Sequence, residues 1–270
     1  MPEIGNSLLL NKSFFTDHYE SAIHARQCLM IESNHLSIAL LDNENVLAFE
    51  QFSFEEWIDE WFSQSKIAAL KQSLPALVLF RADAALLLPE VFRKNRDELL
   101  HRFFTVNDHY EVAEHKPASF PAVVCFLAGK SLLALIRNQF PGAVLMHHSL
   151  PVLWWMMNHA KLKQPSMVIE LYQKRLFIYA VNEGTPLFYN SFEVNSAEDV
   201  AYYTLFVMEQ LEMEPVRQTV YFKASMDNEN LLTVCRNFIP AFISMDVLKP
   251  HKNQDSEWLF PFLCNALLCE

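Results

Sequence analysis

The chain has 270 residues, 51% of them hydrophobic and 20% charged, with a formal net charge of −11. That composition supplies buried cores and excludes an intrinsically disordered chain, while the negative balance, with no dense Lys/Arg block against it, argues against nucleic acid or an anionic membrane surface as partner. The length exceeds one ordinary domain of about 100–200 residues, so two lobes are expected.

The opening MPEIGNSLLLNKSFF has no basic region and only the short apolar run Leu8–Leu10. No secretion signal and no direct membrane insertion are expected, and the chain is read as cytoplasmic. CLMIE (Cys28–Glu32) is a candidate strand, and from His35 to Phe49 an alternation of period two runs into the turn formers DNEN and resumes, the pattern of a hairpin. Trp57, Ile58, Trp61 and Phe62 then share one face of a predicted helix, with Glu55, Glu56 and Asp59 as its solvated side. VLFRA (Val78–Ala82) is a further strand.

Next come DHYEVAEHK, AVVCFLAGKSLLALIRNQF, GAVLMHHS and LPVLWWMMNHA, which read as strand, strand and helix, strand, helix. The longest apolar stretch, Phe120–Ile136, is interrupted by Lys130 beside Gly129, which suits a strand, a turn and a helix better than a membrane span of about 20 residues. Then the earlier order returns. SMVIE (Ser166–Glu170) precedes a hairpin from Arg175 to Tyr189, a helix follows with Ser196 placed as its N-cap, and VYFKA (Val220–Ala224) answers VLFRA. Subtracting 140 pairs Leu176 with Leu36, Ile178 with Ile38, Tyr189 with Phe49 and Phe192 with Phe52. Order and spacing kept across a strand, a hairpin, a helix and a strand indicate an internal duplication. The tail EWLFPFLCNALLCE is expected to be a last helix.

The chemistry-bearing residues are sparse. His147 and His148 are neighbours on a predicted strand and point to opposite faces, which does not suit one shared metal, and they read as structural, as does His159. The five cysteines have no C-x-x-C spacing and read as buried thiols. Trp154, Trp155, Met156 and Met157 read as a helix entering the core, or as a patch for a partner.

The duplicated unit, with an insertion in its first copy, resembles the actin-like ATPase superfold and, within it, the pilus-assembly and secretion proteins of PilM and GspL type. The stretch ALVLFRADAALLLPEVFRKNRDELLHRFF carries this most directly, running from a strand into a leucine-rich strand that ends in Leu88-Pro89 and then a helix with Glu98-Leu99. The chain is identified as a member of the DUF3822 group of uncharacterised bacterial proteins. The resemblance implies a duplicated α/β, ribonuclease H-like fold with two lobes. The first lobe is expected over 1–160 with an inserted α/β subdomain at about 104–160, and the second over 161–270 with the C-terminal helix.

In that superfold an acidic-x-Gly turn after the first strand of each copy lets backbone N–H groups approach phosphate. The corresponding turns here are Glu32-Ser33-Asn34 and Glu170-Leu171-Tyr172, without glycine, and no glycine follows Gly184 to serve under adenine. The resemblance implies that Glu32, Asn34, Glu170, Tyr172 and Gln173 line a cleft between the lobes, their carboxylates relieved by hydrogen bonds, a raised pKa or a basic neighbour such as Lys174. The resulting expectation is a non-catalytic pseudo-ATPase without cofactor or metal, acting as a scaffold or adaptor for a protein or peptide. The alternatives are an ATP-dependent enzyme with an unorthodox site and a small-molecule binder.

Overall fold

The computed structural model describes residues 9–17, 19–21, 25–32, 34–42, 45–53, 65–67, 76–118, 120–159, 165–224 and 229–245. The predicted helix carrying Trp57 and Trp61 and the predicted C-terminal helix lie outside these residues. The chain divides into two compact units, one up to Pro151 and the other from Val152.

The first unit is built on a six-stranded sheet. Its strands are β1 (Leu9–Phe15), β2 (Arg26–Ile31), β3 (His35–Asp42), β4 (Asn45–Ser53), β5 (Ala76–Phe80) and, after an excursion, β9 (Val144–His147). Their order is β1-β4-β3-β2-β5-β9: β2, β5 and β9 run parallel, and β1 to β4 pair antiparallel. β2 and β3 are buried nearly end to end, so both faces of the sheet are covered here, and even Ser37, a polar position of the period-two pattern, is buried.

The excursion is a second layer. β6 (Ala85–Pro89), β7 (Tyr110–His115) and β8 (Ala122–Gly129) form an antiparallel sheet in the order β6-β8-β7. Pro89 ends β6 and starts a 3-10 turn, Glu90–Asn95, that leads into helix α1 (Arg96–Phe103). Leu88, Leu100, Val123, Cys125 and Leu127 make its core, and Glu114 of β7 holds Arg93 and Arg96 at 2.7 and 2.6 Å. The inserted sheet therefore starts at Ala85, ahead of the expected residue 104, and its last strand leads into α2 (Lys130–Gln139). β9 belongs to the main sheet instead. Helix α3 (Ser149–Asn158) follows, with Leu150, Leu153 and Met156 buried and Trp154 and Trp155 half-buried.

The second unit repeats the first. β10 (Ser166–Tyr172), β11 (Arg175–Asn182), β12 (Thr185–Glu193), helix α4 (Ala197–Gln210), β13 (Val220–Ala224), helix α5 (Glu229–Arg236) and β14 (Phe242–Ser244) follow in sequence. The sheet order β12-β11-β10-β13-β14 matches β4-β3-β2-β5-β9 strand for strand. Leu36 faces Phe52 and Leu176 faces Phe192; Ala39 faces Phe49 and Tyr179 faces Tyr189. Even the β-bulge recurs, between Leu40 and Leu41 in one copy and between Ala180 and Val181 in the other. The expected duplication is present at the level of single residues.

One register departs from it. With CLMIE laid on SMVIE, Leu29 corresponds to Met167, yet Leu29 faces Ile38 while Met167 faces Ala180, two residues beyond the counterpart of Ile38. A slip of two keeps every side chain on its own face of the sheet, whereas a slip of one would invert them. Ser196 caps α4 as expected: its side chain accepts from the Asp199 N–H, and the Asp199 carboxylate accepts from the Ser196 N–H.

Candidate functional site

Each copy carries a glutamate at the corresponding position of β2 and β10, just past the end of β2 and two residues before the end of β10, and the next parallel strand carries a cation at the neighbouring position. In the first unit Glu32 follows β2 and Arg81 follows β5; the Arg81 N–H donates to the Ile31 carbonyl at 2.9 Å, continuing the parallel pairing past both strand ends. The Arg81 guanidinium lies 2.9 Å from Glu32 Oε1, with the carboxylate side chain 3% exposed and the arginine 6%. In the second unit Glu170 of β10 stands opposite Lys223 of β13. Lys223 Nζ donates to Glu170 Oε1 at 2.9 Å, and Tyr179 donates to Oε2 at 3.3 Å.

These two ion pairs are the same feature in duplicate. VLFRA and VYFKA differ at the charged position only by Arg for Lys, and the strand pairing puts that position beside the glutamate both times. The cation at Glu170 is Lys223 and not Lys174, which is exposed on the turn. Sequence distance hides it, because 53 residues separate the partners.

The turns themselves differ from the expected geometry. β10 runs on through Leu171 and Tyr172, with Tyr172 opposite Arg175, so the residue at the bend is Gln173 at φ +53°. Tyr172 thus sits half-buried in a strand instead of in a left-handed turn, as the two-residue slip requires. In the first unit Glu32 N–H donates to the His35 carbonyl at 3.0 Å across the turn, and the exposed Asn34 lies with its Oδ1 2.7 Å from His35 Nδ1. Glu32 and Asn34 therefore flank one hairpin turn, and Glu170, Tyr172 and Gln173 belong to its counterpart.

A nucleotide held in the manner of this fold needs a free carboxylate for a cation and glycine-lined backbone for phosphate. Neither requirement fits. Both carboxylates already lie against a cation within hydrogen-bond distance, and both turns carry side chains. Turning such a buried carboxylate to a metal leaves its arginine or lysine buried without a counter-charge, which costs several kcal/mol.

His147 and His148 are both buried, and, contrary to the expectation of opposite faces, His148 lies past the end of β9 with the two rings 4.5 Å apart. His147 is fully buried, with Nδ1 2.8 Å from Ser149 Oγ and Nε2 3.0 Å from the Ala82 carbonyl. Burial pushes its pKa down to about 4 from the ordinary 6.5, outweighing the Ala82 hydrogen bond, and the Arg81 charge adds to the depression. The unfolded chain takes up this proton first, so the neutral ring favours the fold above pH 6.5 and that contribution is lost as pH falls from 6.5 toward 4. The loss amounts to about 3 kcal/mol for the shift. A series of urea melts over that range should show it, and in His147→Gln the slope should fall by about one proton; an unaltered slope would assign the acid sensitivity to other groups. Burial likewise pushes the Cys125 and Cys235 thiols up to about 12, so both are unreactive at neutral pH. Among the described residues no cluster of His, Cys, Asp or Glu could hold a metal, and no helix is long and apolar enough to cross a membrane.

Comparison with known proteins places this arrangement. A family model described as "Protein of unknown function (DUF3822)" matches residues 16–242. A solved Bacteroides thetaiotaomicron protein, described as having an actin-like ATPase fold and unknown function, is 19% identical with a TM-score of 0.79, over 95% of this chain and 100% of that one. A type IV pilus biogenesis complex of PilM and PilN matches at 10% identity and a TM-score of 0.59, over 90% of this chain and 97% of that one. No curated protein matches. The fold is actin-like, with two lobes and an α/β insertion in the first.

Proposed function

As the chain belongs to the DUF3822 family, a family without an assigned activity, we propose from the site itself that it is a pseudo-ATPase. It keeps the actin-like fold as a cytoplasmic scaffold or adaptor for a protein or peptide partner. The observation that carries this reading is the duplicated ion pair, Glu32 with Arg81 and Glu170 with Lys223, each occupying the carboxylate that a nucleotide-bound metal would use. A fold relative taken from a PilM and PilN complex supports the adaptor half of the reading.

The test is calorimetric titration of the full chain with Mg-ATP, together with a thermal melt. No saturable heat at millimolar nucleotide and no upward shift in Tm are expected, since any ligand of the folded state raises Tm by mass action. A Mg-dependent isotherm, or steady phosphate release, would overturn the proposal.

A further inference from the structure

The two copies of the repeat differ at one sheet edge. In the first unit the outer edge of β4 is covered by β1, antiparallel, from Leu9 opposite Ser53 to Phe15 opposite Ala48. The counterpart of β4 is β12, and among the described residues no strand pairs along its outer edge. Equivalent positions report the difference: Phe52 is 1% exposed, while Phe192 is half-buried although its ring stacks on Tyr203 at 4.5 Å. Ala48 is buried and Phe188 half-buried; Leu187 is 43% exposed.

The backbone at this edge gives a second, independent sign. Gln51 lies opposite Lys12 of β1, and its counterpart is Ser191. The Ser191 N–H donates to the side chain of the preceding residue, Asn190 Oδ1, at 2.8 Å. A donor satisfied by its own neighbour is available to an acceptor on an added strand at little cost, since one hydrogen bond replaces another. Pro186 interrupts the edge near its start, as exposed edges commonly require, leaving Leu187 to Glu193 without a strand partner on that side among the described residues. That stretch equals the seven residues of β1.

We propose that the outer edge of β12 from Leu187 to Glu193 is a strand-addition site for an extended segment of a partner protein. The segment runs antiparallel to β12, as β1 does to β4. Its residues opposite Phe188 and Phe192 are apolar, as Phe15 and Leu10 of β1 are opposite Ala48 and Phe52, and extend the core beneath α4. A cationic residue near its N-terminal end meets Glu193, which is exposed and makes no ion pair among the described residues, on a chain of net charge −11. The inference rests on the adaptor reading and specifies how the partner is held.

The probe is the β1 sequence with two lysines added, KKLLNKSFF, titrated into the 15N-labelled full chain. Saturable amide shifts confined to β12 are expected, with affinity falling at least tenfold in Ser191→Pro, which removes the outward donor, and severalfold in Glu193→Lys at low salt. Should Ser191→Pro fail to fold, Glu193→Lys decides. Shifts centred on β4, shifts equally produced by a scrambled peptide, or none at millimolar peptide would overturn the proposal. Concentration-dependent dimers of the chain alone that vanish when β1 is deleted would make the occupant a second copy and overturn it too. Failure here without Mg-ATP binding removes only the strand mode, whereas nucleotide binding removes the adaptor reading itself.

Discussion

Replacing Arg81 with methionine should destabilise the protein by about 3–5 kcal/mol, the range for removing one partner of a buried ion pair. The Glu32 carboxylate, 3% exposed, would lose the cation 2.9 Å away and could not exchange it for water without opening the end of β2. The double variant Glu32→Gln with Arg81→Met should recover most of the loss, because an apolar or neutral replacement of the whole pair is often near neutral. Chemical denaturation of the two single variants and the double one measures the coupling. Lys223→Met should behave alike in the second unit, more mildly because Lys223 is 11% exposed and Tyr179 continues to donate to Glu170. A loss below about 1 kcal/mol for Arg81→Met would mean the pair is effectively hydrated, and would weaken the case against a metal there.

The second large effect is expected at Glu50, a buried residue of β4. Its carboxylate accepts from Ser65 Oγ at 2.6 Å, from the Lys66 N–H at 3.2 Å and from the Ile67 N–H at 3.1 Å. Gln27 adds a bond to the Ile67 carbonyl at 3.1 Å, so residues 65–67 are fastened to the sheet from both ends of their peptide groups. Glu50→Ala strands these donors, each worth about 1–3 kcal/mol when left buried, for a loss of at least about 3 kcal/mol. Glu50→Gln keeps an acceptor and should lose about half as much. Hydrogen exchange separates a local from a global effect: the Lys66 and Ile67 amides should speed up before those of β4 do. Equal acceleration throughout β2, β3 and β4 would show instead that Glu50 holds the whole sheet.

Much of this fold was legible because period-two patterns and turn residues are local. The hairpins, their shared register and the Ser196 cap all follow from residues within a few positions of one another. β1 was harder to see: LLNKSFF belongs to a segment weighed only as a secretion signal, and its strand character depends on β4, which lies about 40 residues onward. β14, three residues long, carries too little pattern to stand out.

The site was legible by half. Glu32 and Glu170 were found by their place after a strand, but their cations were not, since parallel strands bring together residues that no local spacing links. A signal existed in the match of VLFRA to VYFKA, where a positive charge is kept in the same place. The bend at Gln173 in place of Tyr172 was hidden by the slip in register, which no residue type announces.

That slip has a consequence for how such genes change. Between the copies, the first strand has moved by two positions along the hairpin while the hairpin kept its own bulge. A gain or loss of two codons within β10 preserves which side chains meet the core, so the pleat filters insertions by parity. Six-base events should persist among descendants of this duplication in strands whose two faces differ, and three-base events should be confined to the turns.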